Sequence, residues 1–135
     1  MLLKGSYFTI YKTHISIYIF SVNITALDEV EMQNALLGYQ PISIAFEVVD
    51  DFMHYKNGTY SSTTCKNGPT DVNHAVLATG YGTDRNGMDF WAVKNSWSAD
   101  WGEHGYFHIE RGVNMCGLAQ CTSFAFIQPD GEKLI

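Results

Sequence analysis

Asn73-His74-Ala75-Val76-Leu77-Ala78-Thr79-Gly80-Tyr81-Gly82 and, a few residues further on, Phe90-Trp91-Ala92-Val93-Lys94-Asn95-Ser96-Trp97 decide how this chain is read. Both are apolar runs of strand length rich in β-branched and aromatic residues, and the segment between them carries Asp84, Asn86 and Gly87, which suit turns. The pair predicts a β-hairpin. If the hairpin is symmetric about Asp84 and Arg85, its ladder sets the His74 imidazole opposite the Asn95 amide, whereas a tight turn at Asn86-Gly87 moves that register. A carboxamide oxygen that accepts one imidazole N–H holds the ring in one tautomer and leaves the other nitrogen free to exchange a proton with a thiol. His74 also opens the apolar run Ala75-Val76-Leu77-Ala78, where a histidine is ordinarily structural. Trp91, Trp97 and Trp101 fit an aromatic core as well as a lid over an Asn-His bond. Spacing alone leaves both readings open.

Outward from this hairpin the chain is mostly β. Ile42, Ile44, Phe46 and Val48 alternate with Ser43, Ala45 and Glu47, the period of a half-buried strand. Residues 105–111 and 123–128 make further strand candidates. Upstream, Thr25 and Asp28 resemble a helix cap, and Met32, Ala35, Leu36 and Tyr39 repeat at helical spacing until Pro41 stops the pattern. The acids Asp28, Glu29 and Glu31 are read as the solvated face of that helix. Residues 1–21, with Tyr7, Phe8, Ile10, Tyr11 and Ile15 broken by Lys4, Lys12 and His14, form an atypical leader with no assigned role, either β-rich or extraneous. A degenerate signal peptide is the lesser alternative, because its cleavage site is poor.

With 135 residues, 46% of them of apolar type, the chain suits one compact domain. A net charge of −6 without any basic stripe speaks against nucleic acid, and no apolar run reaches membrane-spanning length. Cys65, Cys116 and Cys121 follow no zinc spacing. His104 and His108 stand four apart, but on a strand that is about 13 Å, too far to share an ion. No metal and no cofactor is expected. Asn23-Ile24-Thr25 and Asn57-Gly58-Thr59 are N-glycosylation sequons, so Asn23 and Asn57 are glycosylation candidates compatible with secretory passage.

The ordered set Asn73-His74-Ala75, Gly80-Tyr81-Gly82, Lys94-Asn95-Ser96-Trp97, Trp101-Gly102 and Gly105-Tyr106-Phe107 resembles the C-terminal half of papain-like cysteine proteases. Val22-Asn23-Ile24-Thr25, Tyr60-Ser61-Ser62 and Met115-Cys116-Gly117-Leu118-Ala119 are most similar to the cathepsin H branch of that family. The resemblance implies an α+β, mostly β fold over residues 22–128: the right-hand, antiparallel, β-barrel-like domain of the papain fold with one short helix, followed by a tail from 129 to 135. It implies His74 as catalytic acid/base and Asn95 as its orienter. Trp97 would shield their bond, and Trp101 would wall the leaving-group side. Ala75 and Cys121 would border a substrate pocket, and Cys65 and Cys116 would form a disulfide. Through Cys121 the cathepsin H branch also holds a propeptide-derived mini-chain that favours aminopeptidase action; no such segment occurs in this chain, so Cys121 is expected to be unpaired.

The family draws its nucleophilic cysteine and oxyanion-hole glutamine from a helical domain, and no Gln-x-x-x-x-x-Cys or Cys-Gly-Ser-Cys-Trp string occurs here. The expectation is a cysteine-type peptidase domain, inactive alone, from an incomplete gene model. Its partners would be peptide or protein substrates, the helical domain and mini-chain, and cystatin-like inhibitors, in a lysosomal or secreted setting. The rival class is a non-catalytic pseudoenzyme that binds peptides or inhibitors. The partnerless face of such a domain would be apolar and prone to association.

Overall fold

The computed structural model describes residues 17–39 and 41–129. Most of the leader and the end of the tail therefore lie outside the described residues. Chain order is β1 (Ile17–Asn23), α1 (Glu29–Tyr39), β2 (Ile42–Phe46), a 3-10 turn (Phe52–His54), β3 (Thr59–Tyr60), β4 (His74–Thr83), β5 (Asp89–Lys94), β6 (Tyr106–Glu110), a second 3-10 turn (Met115–Gly117) and β7 (Ser123–Pro129). The strands join one sheet in the order β1-β7-β2-β4-β5-β6-β3. All neighbours are antiparallel except β3 and β6. The architecture is mostly β with one helix, as the sequence leads one to expect, and the barrel-like sheet is open, with β1 and β3 at its edges. Residues 17–21, set apart with the leader in the sequence reading, run in β1 against β7.

The period-2 pattern of β2 sends Ile42, Ile44 and Phe46 inward, where they are essentially inaccessible to solvent. Val76 and Ala78 of β4, Trp91 and Val93 of β5, and Phe107 and Ile109 of β6 meet them on the same face. Phe52, on the turn after β2, plugs this core with its ring centroid 4.8 Å from that of Phe107 and 5.0 Å from that of Phe46. Each such side chain contributes about 1.5–3 kcal/mol by leaving water, so the aromatic plug outweighs any single surface contact.

Helix α1 begins because Asp28 Oδ1 accepts the Glu31 N–H at 2.8 Å while Glu31 Oε2 reaches back to the Thr25 N–H at 2.8 Å, a reciprocal cap one turn wide. Met32 and Ala35 face the core, and Tyr39 ends the helix by stacking on Phe124 of β7 at 4.7 Å. Glu29 departs from the expected solvated face. Its Oε2 accepts the Trp91 indole N–H at 2.8 Å and the Gly112 N–H at 2.7 Å, and its Oε1 accepts the Asn114 N–H at 2.7 Å. Gly112 and Asn114 have left-handed backbones, so the loop after β6 turns its N–H groups toward one carboxylate on the first residue of α1.

The hairpin register also differs from the symmetric one. Thr83 pairs with Asp89, Gly80 with Ala92 and Leu77 with Lys94, with a shift between Ala78 and Gly80. The loop therefore runs from Asp84 to Met88, and the bulge at Thr79 takes up one residue. Asn95 lies just past the last ladder pair instead of opposite His74. At the loop, Asp84 Oδ1 accepts the N–H groups of Asn86 and Met88, and Oδ2 accepts the Thr59 hydroxyl at 2.8 Å. The Met88 N–H and the Thr59 hydroxyl hold the Asp84 carboxyl below its ordinary pKa.

Candidate active site

His74 is the first residue of β4 and pairs with Phe46 of β2. The residue before it anchors the turn into the strand: the Asn73 N–H donates to Phe46 O, its Oδ1 accepts the Val48 N–H at 2.7 Å, and its Nδ2 donates to Val48 O at 3.1 Å. The Asn73 carboxamide thus stands in for a strand neighbour and continues the β2–β4 pairing one step beyond the ladder. The His74 ring lies between two aromatics, with the edge of Phe46 at 5.8 Å on one side and Trp97, tilted 31° from parallel, at 5.1 Å on the other.

Asn95 is 8% exposed. Its N–H donates to Gly105 O at 2.9 Å, which ties the segment after β5 to the turn before β6. The single oxygen Oδ1 faces two groups, His74 Nε2 at 2.9 Å and the Ser96 N–H at 2.8 Å. A backbone N–H only donates, so the atom beside Ser96 must be the carboxamide oxygen, and the amide has one orientation. The same oxygen cannot donate to the ring. Nε2 therefore carries a proton, and in neutral imidazole the Nδ1 lone pair is left bare. Among the described residues, Asn95 Nδ2 is buried with no hydrogen-bond partner.

Trp97 and Trp101 meet edge to face at 4.9 Å, with Phe52 beneath both at 5.8 and 5.3 Å. The Trp101 indole N–H donates to Met53 O at 3.0 Å, so its ring orientation is set by the turn after β2. Tyr55 supports Trp101 from below. Burial raises the phenol far above its ordinary range, with the Glu103 carboxylate beside it adding to the shift; Tyr55 stays a neutral donor to Gly58 O. Burial likewise raises Tyr60, whose hydroxyl donates to Asp51.

Ala75 is exposed on β4 and lines a cleft of 340 Å³ with Ser43, Leu77, Lys94, Asn95 and Ser96. Cys121 is exposed, carries a free thiol and is not among the residues lining that cleft. Cys65 and Cys116 are joined in a disulfide. Asn23 and Asn57 are both exposed. Among the described residues, no group of three or more His, Cys, Asp or Glu side chains is placed to hold a metal ion, and no helix is long and apolar enough to cross a membrane.

Two contributions to this site, those of Ser96 and Asn73, lie inside the motifs around Asn95 and His74, yet their roles are not legible there. The Ser96 contribution is a backbone N–H, which any residue supplies. The Asn73 clamp leaves a faint trace, a polar side chain just before a buried strand, of the kind that bonds backbone outside the ladder. Glu29, far along the chain, holds the Trp91 indole of the strand leading to Asn95 and was not distinguishable from its acidic neighbours.

The sheet thus presents an imidazole held by a carboxamide and flanked by an indole pair. The profile of the papain family cysteine proteases matches residues 10–126, and the chain belongs to that family. Its similarity to pro-cathepsin H of Mus musculus is 58% identity over 107 residues, 79% of this chain and 32% of that protein. Pro-cathepsin H of Medicago truncatula is 54% identical over 107 residues, 79% of this chain and 30% of that protein. The structure is similar to the digestive procathepsin L2 proteinase of Tenebrio molitor larval midgut, with TM-score 0.73 and 38% identity over 78% of this chain and 33% of that one. The chain spans about a third of the length of the curated relatives it matches.

Proposed function

We propose that residues 22–128 form the right-hand domain of a cathepsin H-like cysteine peptidase, with His74 as the acid/base and Asn95 as its orienter. The observation that carries this reading is the 2.9 Å contact from His74 Nε2 to an Asn95 oxygen whose identity the Ser96 N–H dictates. The nucleophile is a cysteine thiolate on a helical domain that packs against the cleft side of the sheet. The cysteine thiol first passes its proton to Nδ1 of His74; the thiolate sulfur then bonds to the peptide carbonyl carbon, whose π electrons move to oxygen, and collapse expels the amine, to which Nδ1 delivers that proton. Nδ1 then takes a proton from water as that water attacks the thioester, and the acid product and thiolate separate. Nε2 keeps its proton throughout, because Asn95 offers it only an acceptor. Trp97 keeps water off that bond, and Trp101 walls the leaving-group side.

In this reading the substrate pocket extends from the cleft that Ala75 lines toward Cys121, which lies outside the lining of that cleft, and the exposed Cys121 thiol is available for a mini-chain disulfide that turns the enzyme toward aminopeptidase action. Peptides or proteins are the substrates, and cystatin-like inhibitors compete for the same cleft. The Cys65–Cys116 disulfide and the exposed Asn23 and Asn57 sequons support a secreted or lysosomal protein glycosylated at those two positions.

The purified chain is expected to show no hydrolysis of a fluorogenic aminopeptidase substrate, because an imidazole without its thiol has no acyl-enzyme route. Addition of a cathepsin H helical half carrying the thiol is expected to give turnover that His74→Ala abolishes. Turnover by the chain alone, or turnover that survives His74→Ala, would overturn the assignment. Binding of a cystatin-like inhibitor by a reconstituted but inactive pair would favour the pseudoenzyme.

A further inference from the structure

Three Asn-Gly pairs occur in the sequence: Asn57-Gly58, Asn67-Gly68 and Asn86-Gly87. This dipeptide modifies itself. The glycine nitrogen, on losing its proton, bonds to the Asn side-chain carbonyl carbon; the bond from that carbon to Nδ2 breaks, and ammonia leaves with the proton. Water then opens the cyclic imide at either carbonyl to give aspartate or isoaspartate. Glycine permits the attack because it has no Cβ to obstruct the ring. What remains to control the rate is the freedom and acidity of the glycine N–H.

The structure occupies all three of these N–H groups, but with acceptors of different charge. Gly58 donates to the Glu103 carboxylate at 2.8 Å, and Gly68 donates to the Asp71 carboxylate at 3.1 Å. A carboxylate in contact with an amide nitrogen opposes the negative charge that nitrogen must take on before it attacks. Both pairs are held further: Gly58 O accepts the Tyr55 hydroxyl at 2.7 Å, and Asn67 O accepts the amides of Asn114 and Gln120 at 3.2 and 2.7 Å. Gly87 instead donates to the neutral carbonyl of Asp84 at 3.0 Å, in a loop where Asn86 and Gly87 are both exposed. The Asp84 carboxylate also reaches the Gly87 N–H, but as the weakest of its contacts, because its Oδ1 is taken by the N–H groups of Asn86 and Met88 and its Oδ2 by the Thr59 hydroxyl, so the charge opposing deprotonation is smallest at Gly87.

We propose that Asn86 is the self-deamidating residue of this chain, and that Glu103 and Asp71 guard Asn57 and Asn67 against the same reaction. The guard at Asn57 preserves the carboxamide of a glycosylation sequon. At Asn86 an isoaspartyl link inserts an extra backbone carbon into the loop that joins the His74 strand to the Asn95 strand, a slow change that accumulates with the age of the molecule.

The test is peptide mapping of isoaspartate after incubating the unglycosylated chain at mildly alkaline pH. In the wild type isoaspartate is expected at position 86 before 57 or 67. Glu103→Ala is expected to raise the rate at 57 alone by about tenfold, the effect of one unit in amide acidity. Amide hydrogen exchange of the wild type removes the same proton by the same base and needs no variant. Gly58 and Gly68 are expected to exchange more slowly than Gly87. Isoaspartate arising first at Asn57 or Asn67, no rise at 57 in a folded Glu103→Ala chain, or Gly58 exchanging as fast as Gly87 would each overturn the proposal.

Discussion

Glu29→Ala is expected to lower the stability of the chain by about 3–4 kcal/mol, measured as a fall in the urea midpoint at unchanged slope. The wild-type carboxylate satisfies three donors on two other elements: the Trp91 indole and the N–H groups of Gly112 and Asn114. Hydrogen bonds to a charged group are worth more than neutral ones, and Trp91 has no exposed surface through which water could replace its lost acceptor. The glycine and asparagine N–H groups converge because their backbones are left-handed, with φ of 94° and 49°. Without the anion this convergence of like dipoles has no counterpart, and the loop is expected to open. Glu29→Gln keeps the shape and one acceptor oxygen but points an amide donor at another donor, so it is expected to lose about half as much. A fall below about 0.5 kcal/mol for Glu29→Ala, the size of an ordinary surface substitution, would show that the three contacts carry no weight.

Loss of the Cys65–Cys116 disulfide is expected to be comparably severe. The bridged residues are 51 apart. Opening a loop of that length restores unfolded-chain entropy worth about 4 kcal/mol on the loop-closure relation. The local structure amplifies the effect. Cys116 itself has φ of 52°, and Asn114, two residues before it, has φ of 49°, two left-handed non-glycine residues on either side of Met115 whose cost an external tether offsets. Its carbonyl also accepts the Glu47 N–H at 2.8 Å, so the same turn holds the end of β2 beside the Asn73 clamp. A Cys65→Ser, Cys116→Ser double variant is expected to melt on the order of 20 °C lower than the oxidised wild type. An unchanged melting temperature on reduction would mean that the segment between β3 and β4 is held by its other contacts.

The elements nearest to local chemistry were the ones visible in the sequence. The alternation of Ile42, Ile44 and Phe46 and the cap at Asp28 are decided within a few residues, and both stand in the structure where their patterns lie. The identity of His74 and Asn95 as candidates was equally legible, because the motifs around them are dense and ordered. Their geometric relation was not. A hairpin symmetric about Asp84 and Arg85 would face them across a ladder, yet the loop is centred on Asn86, the bulge at Thr79 recovers only one residue of that offset, and the two side chains meet beyond the last pair because Asn95 is tied to Gly105 and Asn73 to Val48. A bulge of this kind is set by packing on both faces of the sheet, information that no single strand contains. Glu29 was missed for a similar reason. Asp28, Glu29 and Glu31 look alike as a helix start, and only the return of the chain at Gly112 and Asn114, far downstream, distinguishes one as an internal anchor.

The acid/base role proposed for His74 requires a proton that stays on its Nε2. Proton–nitrogen correlation spectra of the selectively labelled imidazole report that proton directly, at a pH where the ring is neutral. The expected spectrum has Nε2 as the protonated nitrogen and Nδ1 as the bare one, with the preference weakened in Asn95→Ala. A ring protonated on Nδ1 in the wild type, or a tautomer indifferent to Asn95→Ala, would contradict the acid/base assignment.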